Sequence, residues 1–112
     1  MPGPLLIQPI VVSMFQQVLN KLKVPINIRH VSSMNNDYTD KCIQIRQECQ
    51  LLGLPNNKWL AGIEIKLDAK NRNILNLYIT RHTIDLTEEA VADVISIFIG
   101  KIDRVTVYVP YV

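Results

Sequence analysis

Two histidines, two cysteines, four serines and ten Asp and Glu are what this 112-residue chain offers to acid–base, nucleophilic or metal chemistry. His30 and His82 each follow an arginine. No His-x-x-His, His-Glu-x-x-His or Cys-x-x-Cys spacing is present, so no local run holds a zinc-type ligand set. Cys42 and Cys49 are seven residues apart in a predicted helix, a rise of about 10.5 Å, beyond the ~7 Å Cα limit of a disulfide. They read as two small apolar residues in a reducing compartment. Ser13, Ser32, Ser33 and Ser96 lie in no Gly-x-Ser-x-Gly elbow. The glycines at 3, 53, 62 and 100 are too scattered to cradle a phosphate. Asp68, Asp85, Asp93 and Asp103 fall singly in turns or on a helix surface, as solvated or capping acids. The expectation is a non-enzymatic chain with no catalytic residue, metal or cofactor. The remaining enzymatic reading is a metal-dependent nuclease with acids supplied from each half of a dimer.

The elements that would position these residues follow from composition and periodicity. Twelve basic residues against ten acidic ones give a net charge of +2, too balanced for a protein that coats nucleic acid. With 48% hydrophobic residues the chain is not disordered, and no stretch approaches the ~18 apolar residues of a membrane span. Pro2, Pro4 and Pro9 interrupt an opening that has no basic region, so it does not read as a secretion signal. Residues 1–8 are expected to be an extended arm, and residues 9–112 a single domain.

From Pro9, the residues Ile10, Met14, Val18 and Leu22 recur at helical spacing until Pro25 stops them. Val24, Ile26 and Ile28 alternate as a strand. Cys42, Ile45, Cys49 and Leu52 form the stripe of a second helix over 38–52, capped by Asp37 or Thr39 and stopped at Gly53. Ala61, Ile63, Ile65 and Leu67, then Leu75, Leu77 and Ile79, alternate on either side of a polar turn at 68–73, which predicts an antiparallel hairpin. Asp85 and Glu88 have capping-box spacing, with Thr87 as the other cap, before a helix over 87–99. Val105, Val107 and Val109 form a last strand that Pro110 ends.

A leading helix followed by β-α-β-β-α-β predicts an α+β ferredoxin-like domain: a four-stranded antiparallel sheet with its helices on one face. The first and third strands would be central and the last an edge. His30 and His82 would lie at opposite ends of the sheet, unable to share a metal. The open face would show Asn27, Arg29, Lys66, Asn76, Tyr78, Arg104 and Tyr108. Tyrosines stack bases, arginines hold phosphates and asparagines read base edges, so these residues form a candidate DNA- or RNA-binding set. The valine-rich edge strand and an over-apolar helix around Val91, Val94, Ile95, Ile97, Phe98 and Ile99 point to a homodimer. The leading functional reading is a self-associating interaction module, with nucleic-acid binding as the alternative.

Short, rich in isoleucine (15 of 112 residues) and without a diagnostic motif, the chain resembles the small orphan proteins of thermophilic archaeal viruses. The resemblance implies an accessory role in the host cytoplasm and carries over no active residue.

Overall fold

Pro9 stands in the first turn of α1 (Gln8–Lys21), where its missing N–H costs nothing. Lys23, in the left-handed region at φ 59°, closes the helix, and Val24 N–H reaches back to the Leu19 carbonyl at 3.0 Å. These elements come from a computed structural model that describes residues 8–32, 36–54 and 57–111. The expected arm lies outside the described residues, apart from Gln8, which opens α1.

The remaining elements are β1 (Ile26–Ser32), α2 (Asn36–Leu52), β2 (Leu60–Leu67), β3 (Asn73–Ile79), α3 (Glu88–Phe98) and β4 (Arg104–Tyr111). The order and kind of elements match the sequence reading, and the chain is α+β. The sheet corrects it. Strand order is β1-β4-β3-β2, with β1 parallel to β4, β4 parallel to β3, and only β2 antiparallel to its neighbour. The sheet is mixed, not antiparallel, and β4 is central, not an edge.

The physical reason lies in burial. Val105, Val107 and Val109 are at most 3% exposed, and Thr106 between them is also buried. Strands covered on both faces take the middle of a sheet. β1 instead carries exposed Arg29 and His30, and β2 ends in exposed Ile65, Lys66 and Leu67. Nor does Pro110 end β4, which continues to Tyr111. Val105 N–H donates to Pro25 O on the β1 side, so by alternation Pro110 faces β3, whose ladder stops at Tyr78–Tyr108. The missing donor therefore forfeits no rung.

The helices divide between the two faces. α1 packs against α3 on the face of Leu75, Leu77, Ile79, Val105 and Val107, all fully buried. Phe15 of α1 meets the ring of Trp59 edge-on at 6.2 Å. α2 crosses the opposite face, packing chiefly on β2, with Tyr38 reaching β3. A Cβ added at Gly62 would come 1.9 Å from Ile45 Cγ2, so the glycine is what lets α2 approach. The expected arrangement with every helix on one face is therefore replaced by a sheet covered on both sides.

Local signals hold well. Gly53, at φ 69°, ends α2 with Leu54 N–H on the Cys49 carbonyl. Thr87, not Asp85, caps α3, its hydroxyl oxygen accepting from Ala90 N–H at 3.1 Å. In the hairpin turn Asp68 Oδ1 accepts from the backbone N–H of Lys70 and of Arg72, both at 2.8 Å, and Oδ2 from Arg72 Nε at 2.7 Å. Cys42 and Cys49 are free thiols.

Candidate functional site

The strand registers place the seven expected binding residues on one face. Asn27, Thr106, Asn76 and Glu64 form one row across the sheet; Arg29, Tyr108, Tyr78 and Gly62 form the next. Arg104, Ile74 and Lys66 form a third. The shared face follows the sequence reading, but its openness does not. α2 lies over the β2–β3 half, so Asn76 (8% exposed) and Tyr78 (6%) are buried. Arg29 and Lys66 stay exposed, while Asn27, Arg104 and Tyr108 are half-buried.

Tyr78 is held on both sides. Its ring stacks on Tyr108 at 4.8 Å and 6°, and Tyr38 of α2 lies 6.2 Å away on a tilted plane. Its hydroxyl donates to Glu64 Oε1 at 3.0 Å. Asn76 Nδ2 donates to the same oxygen at 3.3 Å, and Lys41 Nζ of α2 sits 2.9 Å from Oε2. Lys66 adds a second cation at 3.7 Å. Burial pushes the Glu64 carboxyl up, but the bonds from Lys41, Asn76 and Tyr78 and the charge of Lys41 outweigh it and hold the group below its ordinary value. Burial, reinforced by the Glu64 charge, pushes the Tyr78 phenol well above its usual range. Tyr38 is raised in the same direction, chiefly by burial. The cluster is a satisfied polar layer under a helix, and its tyrosine faces are spent on one another.

At the carboxyl ends of the three parallel strands the Tyr38 hydroxyl donates to the Ile79 carbonyl at 2.9 Å, with the Tyr108 carbonyl 3.3 Å away. This ties the start of α2 to the point where β3 and β4 separate. Beside it lies a cavity of about 230 Å³ bordered by Tyr38, Cys42, Arg46, Thr80 and Arg81. Burial raises the Cys42 thiol, while Tyr38 and the Arg46 charge pull it back in part. The parallel β1–β3 relation also corrects the histidines. His30 near the end of β1 and His82 just past β3 lie at the same end of the sheet, two strand spacings (roughly 10 Å) apart across it. Among the described residues no cluster of three His, Cys, Asp or Glu could hold a metal.

The free edge of β2 is the third feature. Ile63 N–H donates to Cys49 Sγ at 3.3 Å, and the thiol lies 3.4 Å from the Ile63 carbonyl. Residues 63, 65 and 67 therefore turn their backbone groups outward, and α2 satisfies those of Ile63. A notch opens there, its apolar walls formed by Leu52, Leu54, Ile63, Ile65 and Phe98 and its rim by Glu48, Cys49 and Glu64. Leu52, Ile65 and Leu67 are 74%, 47% and 64% exposed. With the first and third strands central, the sequence reading already leaves β2 at an edge, but it looks for self-association at the valine-rich β4 and not at Ile65 and Leu67. The polar ending of β2, Glu64 to Asp68, was the available signal.

No helix among the described residues is long and apolar enough to cross a membrane. In comparison with known proteins, no family model, curated sequence or solved structure matches the chain, so its function has to be read from this geometry.

Proposed function

We propose that the protein is a non-catalytic interaction module that associates with a second copy of itself through the free edge of β2. The observation that carries this reading is the exposure of Ile65 and Leu67 on an edge strand beside a largely apolar notch that Glu48 and Glu64 also border. Such an edge is a template for strand pairing unless it is covered. The segment is self-complementary about a two-fold axis at Ile65. Antiparallel pairing there sets Ile65 opposite Ile65, Glu64 opposite Lys66 and Ile63 opposite Leu67. The protruding Leu67 of each copy then enters the notch of the other, of which Ile63 is one wall. A register two residues shorter would oppose Glu64 to Glu64, and one two residues longer Lys66 to Lys66. Charge thus selects the pairing. The sequence expectation of an edge-strand dimer is kept, but transferred from β4, which pairs on both sides, to β2.

Light scattering across a concentration series tests the proposal. The wild-type protein should show a dimer mass that Ile65→Lys reduces to a monomer, with the circular dichroism spectrum unchanged. A monomeric wild-type mass at high micromolar concentration would overturn it.

The nucleic-acid reading finds less support. Its stacking residue Tyr78 is sandwiched, and Arg29, Lys66 and Arg104 remain as separated surface cations.

A further inference from the structure

β1, β4 and β3 run parallel, so their carboxyl ends share one side of the sheet. From that side β1 leads into α2 on one face, while β3 leads into α3 on the other. β1 and β3 flank β4, so the two connections diverge to opposite faces beyond its carboxyl end. In open α/β sheets ligands bind in crevices outside the carboxyl ends of the strands. The cavity beside Tyr38 occupies this place.

Its walls combine an apolar part, from Ile43, Ala61, Ile79 and Pro110, with a polar and basic one. Arg46 comes from α2 and Arg81 from the turn after β3. Thr39, Cys42 and Thr80 add hydroxyl and thiol groups, and no carboxylate lines the cavity among the described residues. The turn carrying Arg81 is braced by Thr80, whose hydroxyl donates to the Lys58 carbonyl and accepts from His82 N–H at 3.1 Å. Thr80 N–H is tied to the Trp59 carbonyl at 2.8 Å. Two arginines border the cavity from different elements, one of them on a braced turn, and a guanidinium offers several donors to an oxyanion with several acceptor oxygens. The volume of about 230 Å³ is below the ~300–1,000 Å³ of sites for drug-sized ligands. It fits a phosphate group with a small substituent and excludes a dinucleotide.

We propose that the crevice at the carboxyl ends of β3 and β4 binds a small phosphate-bearing ligand, with Arg46 and Arg81 gripping the phosphate and Tyr38 and Cys42 forming the floor. This site is separate from the β2 edge, and its occupancy does not depend on the dimer.

The test is a titration of the full chain with inorganic phosphate at fixed ionic strength, chloride serving as the control, followed by amide NMR. Saturable shifts confined to Thr39, Cys42, Arg46 and the Thr80–His82 turn are expected. Arg81→Gln, an exposed turn position whose change leaves the fold intact, should weaken the binding by about tenfold or more, as loss of one charge-assisted bond does. A second readout is alkylation of Cys42 by iodoacetamide. Cys49 is 1% exposed, so Cys42 is the thiol that reacts in the folded protein, and saturating phosphate should slow it. Equal shifts with chloride, shifts spread over all surface cations, or unchanged binding in Arg81→Gln would overturn the proposal. A single-stranded oligonucleotide that displaces phosphate from these residues and binds more tightly than a phosphate monoester would overturn the small-ligand assignment in favour of nucleic acid.

Discussion

Replacing Gly62 by alanine probes whether α2 truly lies on the polar face of the sheet. Gly62 is outside the left-handed region, so the backbone itself accepts a side chain. Alanine would then stabilise by ~0.4–1 kcal/mol through the unfolded chain if nothing stood in its way. Ile45 does. The new methyl would lie 1.9 Å from Ile45 Cγ2, 3.0 Å from its Cβ and 3.2 Å from its carbonyl carbon. Rotating χ1 would move only the first of these atoms, and isoleucine in a helix has one strongly preferred χ1. The other two are fixed to the helix, so α2 must lift. Overpacking of this kind costs ~1–3 kcal/mol, which leaves a net loss of about 1–2 kcal/mol. Urea unfolding followed by fluorescence of the single Trp59 measures it. Ile45→Ala alone should cost ~2–5 kcal/mol for the cavity it leaves. The double variant should be more stable than the sum of the two losses predicts, because the alanine methyl then fills vacated space. A neutral or stabilising Gly62→Ala, or strict additivity with Ile45→Ala, would refute the placement of α2.

Two further outcomes follow from local geometry. Lys23→Gly should raise stability by about 0.5–1 kcal/mol, since a lysine at φ 59° pays the left-handed penalty that glycine avoids; an unchanged or lower midpoint in urea would contradict it. Glu64 and Asp68 are both held below their ordinary values, Asp68 chiefly by the Arg72 backbone N–H. Their stabilisation is present above the unfolded carboxylate range of ~4–4.5 and is lost as pH falls through the lower folded values, so Glu64→Gln should flatten the acid limb of a stability–pH profile.

Element boundaries were legible because their signals are local. Pro25, Gly53, Thr87 and the Asp68 turn each act through a neighbouring backbone group, and each does its expected work. Strand order is a different kind of fact, set by which strands must be buried on both faces. Val105-Thr106-Val107 and Leu75-Asn76-Leu77 look half polar by alternation, and that reading put one face of the sheet in solvent. Asn76 is buried yet satisfied by Glu64, and Thr106 is buried beside it in the same row. A polar residue under α2 thus mimics a polar residue facing water. The stripe of α2 explains the rest. Apart from Ile45, which packs on Gly62, the stripe residues Tyr38, Cys42 and Cys49 are small or amphipathic, suited to a polar sheet face, where a wholly aliphatic stripe would leave Glu64 and Tyr78 without partners. Gly62, inside an alternating strand where a side chain is otherwise expected, was the sequence signal of a close helix.

Covering both faces moves the capacity for recognition to the periphery of the sheet. The rows fix where the two peripheral features lie. Lys66 pairs with Ile74 at the start of β3, so the Ile65–Leu67 edge belongs to the amino ends of the parallel strands. Arg81 follows Ile79 at the carboxyl ends, on the far side of the sheet from that edge. A dimer built on Ile65 would therefore leave both crevices open and pointing away from the two-fold axis. Between them stands the rigid part of the molecule: Tyr38 bonded to Ile79, Glu64 holding Lys41, Asn76 and Tyr78, and Cys49 closing the backbone of Ile63. One helix, α2, contributes to all three. Its first turns border the crevice, its middle seals the polar layer, and its last turn forms the notch. An aliphatic helix could bury as much surface, but it could not supply Lys41 to the Glu64 carboxylate, Arg46 to the crevice and the Cys49 thiol to the β2 edge. That distribution is the clearest reason for α2 to be the least apolar helix of the three.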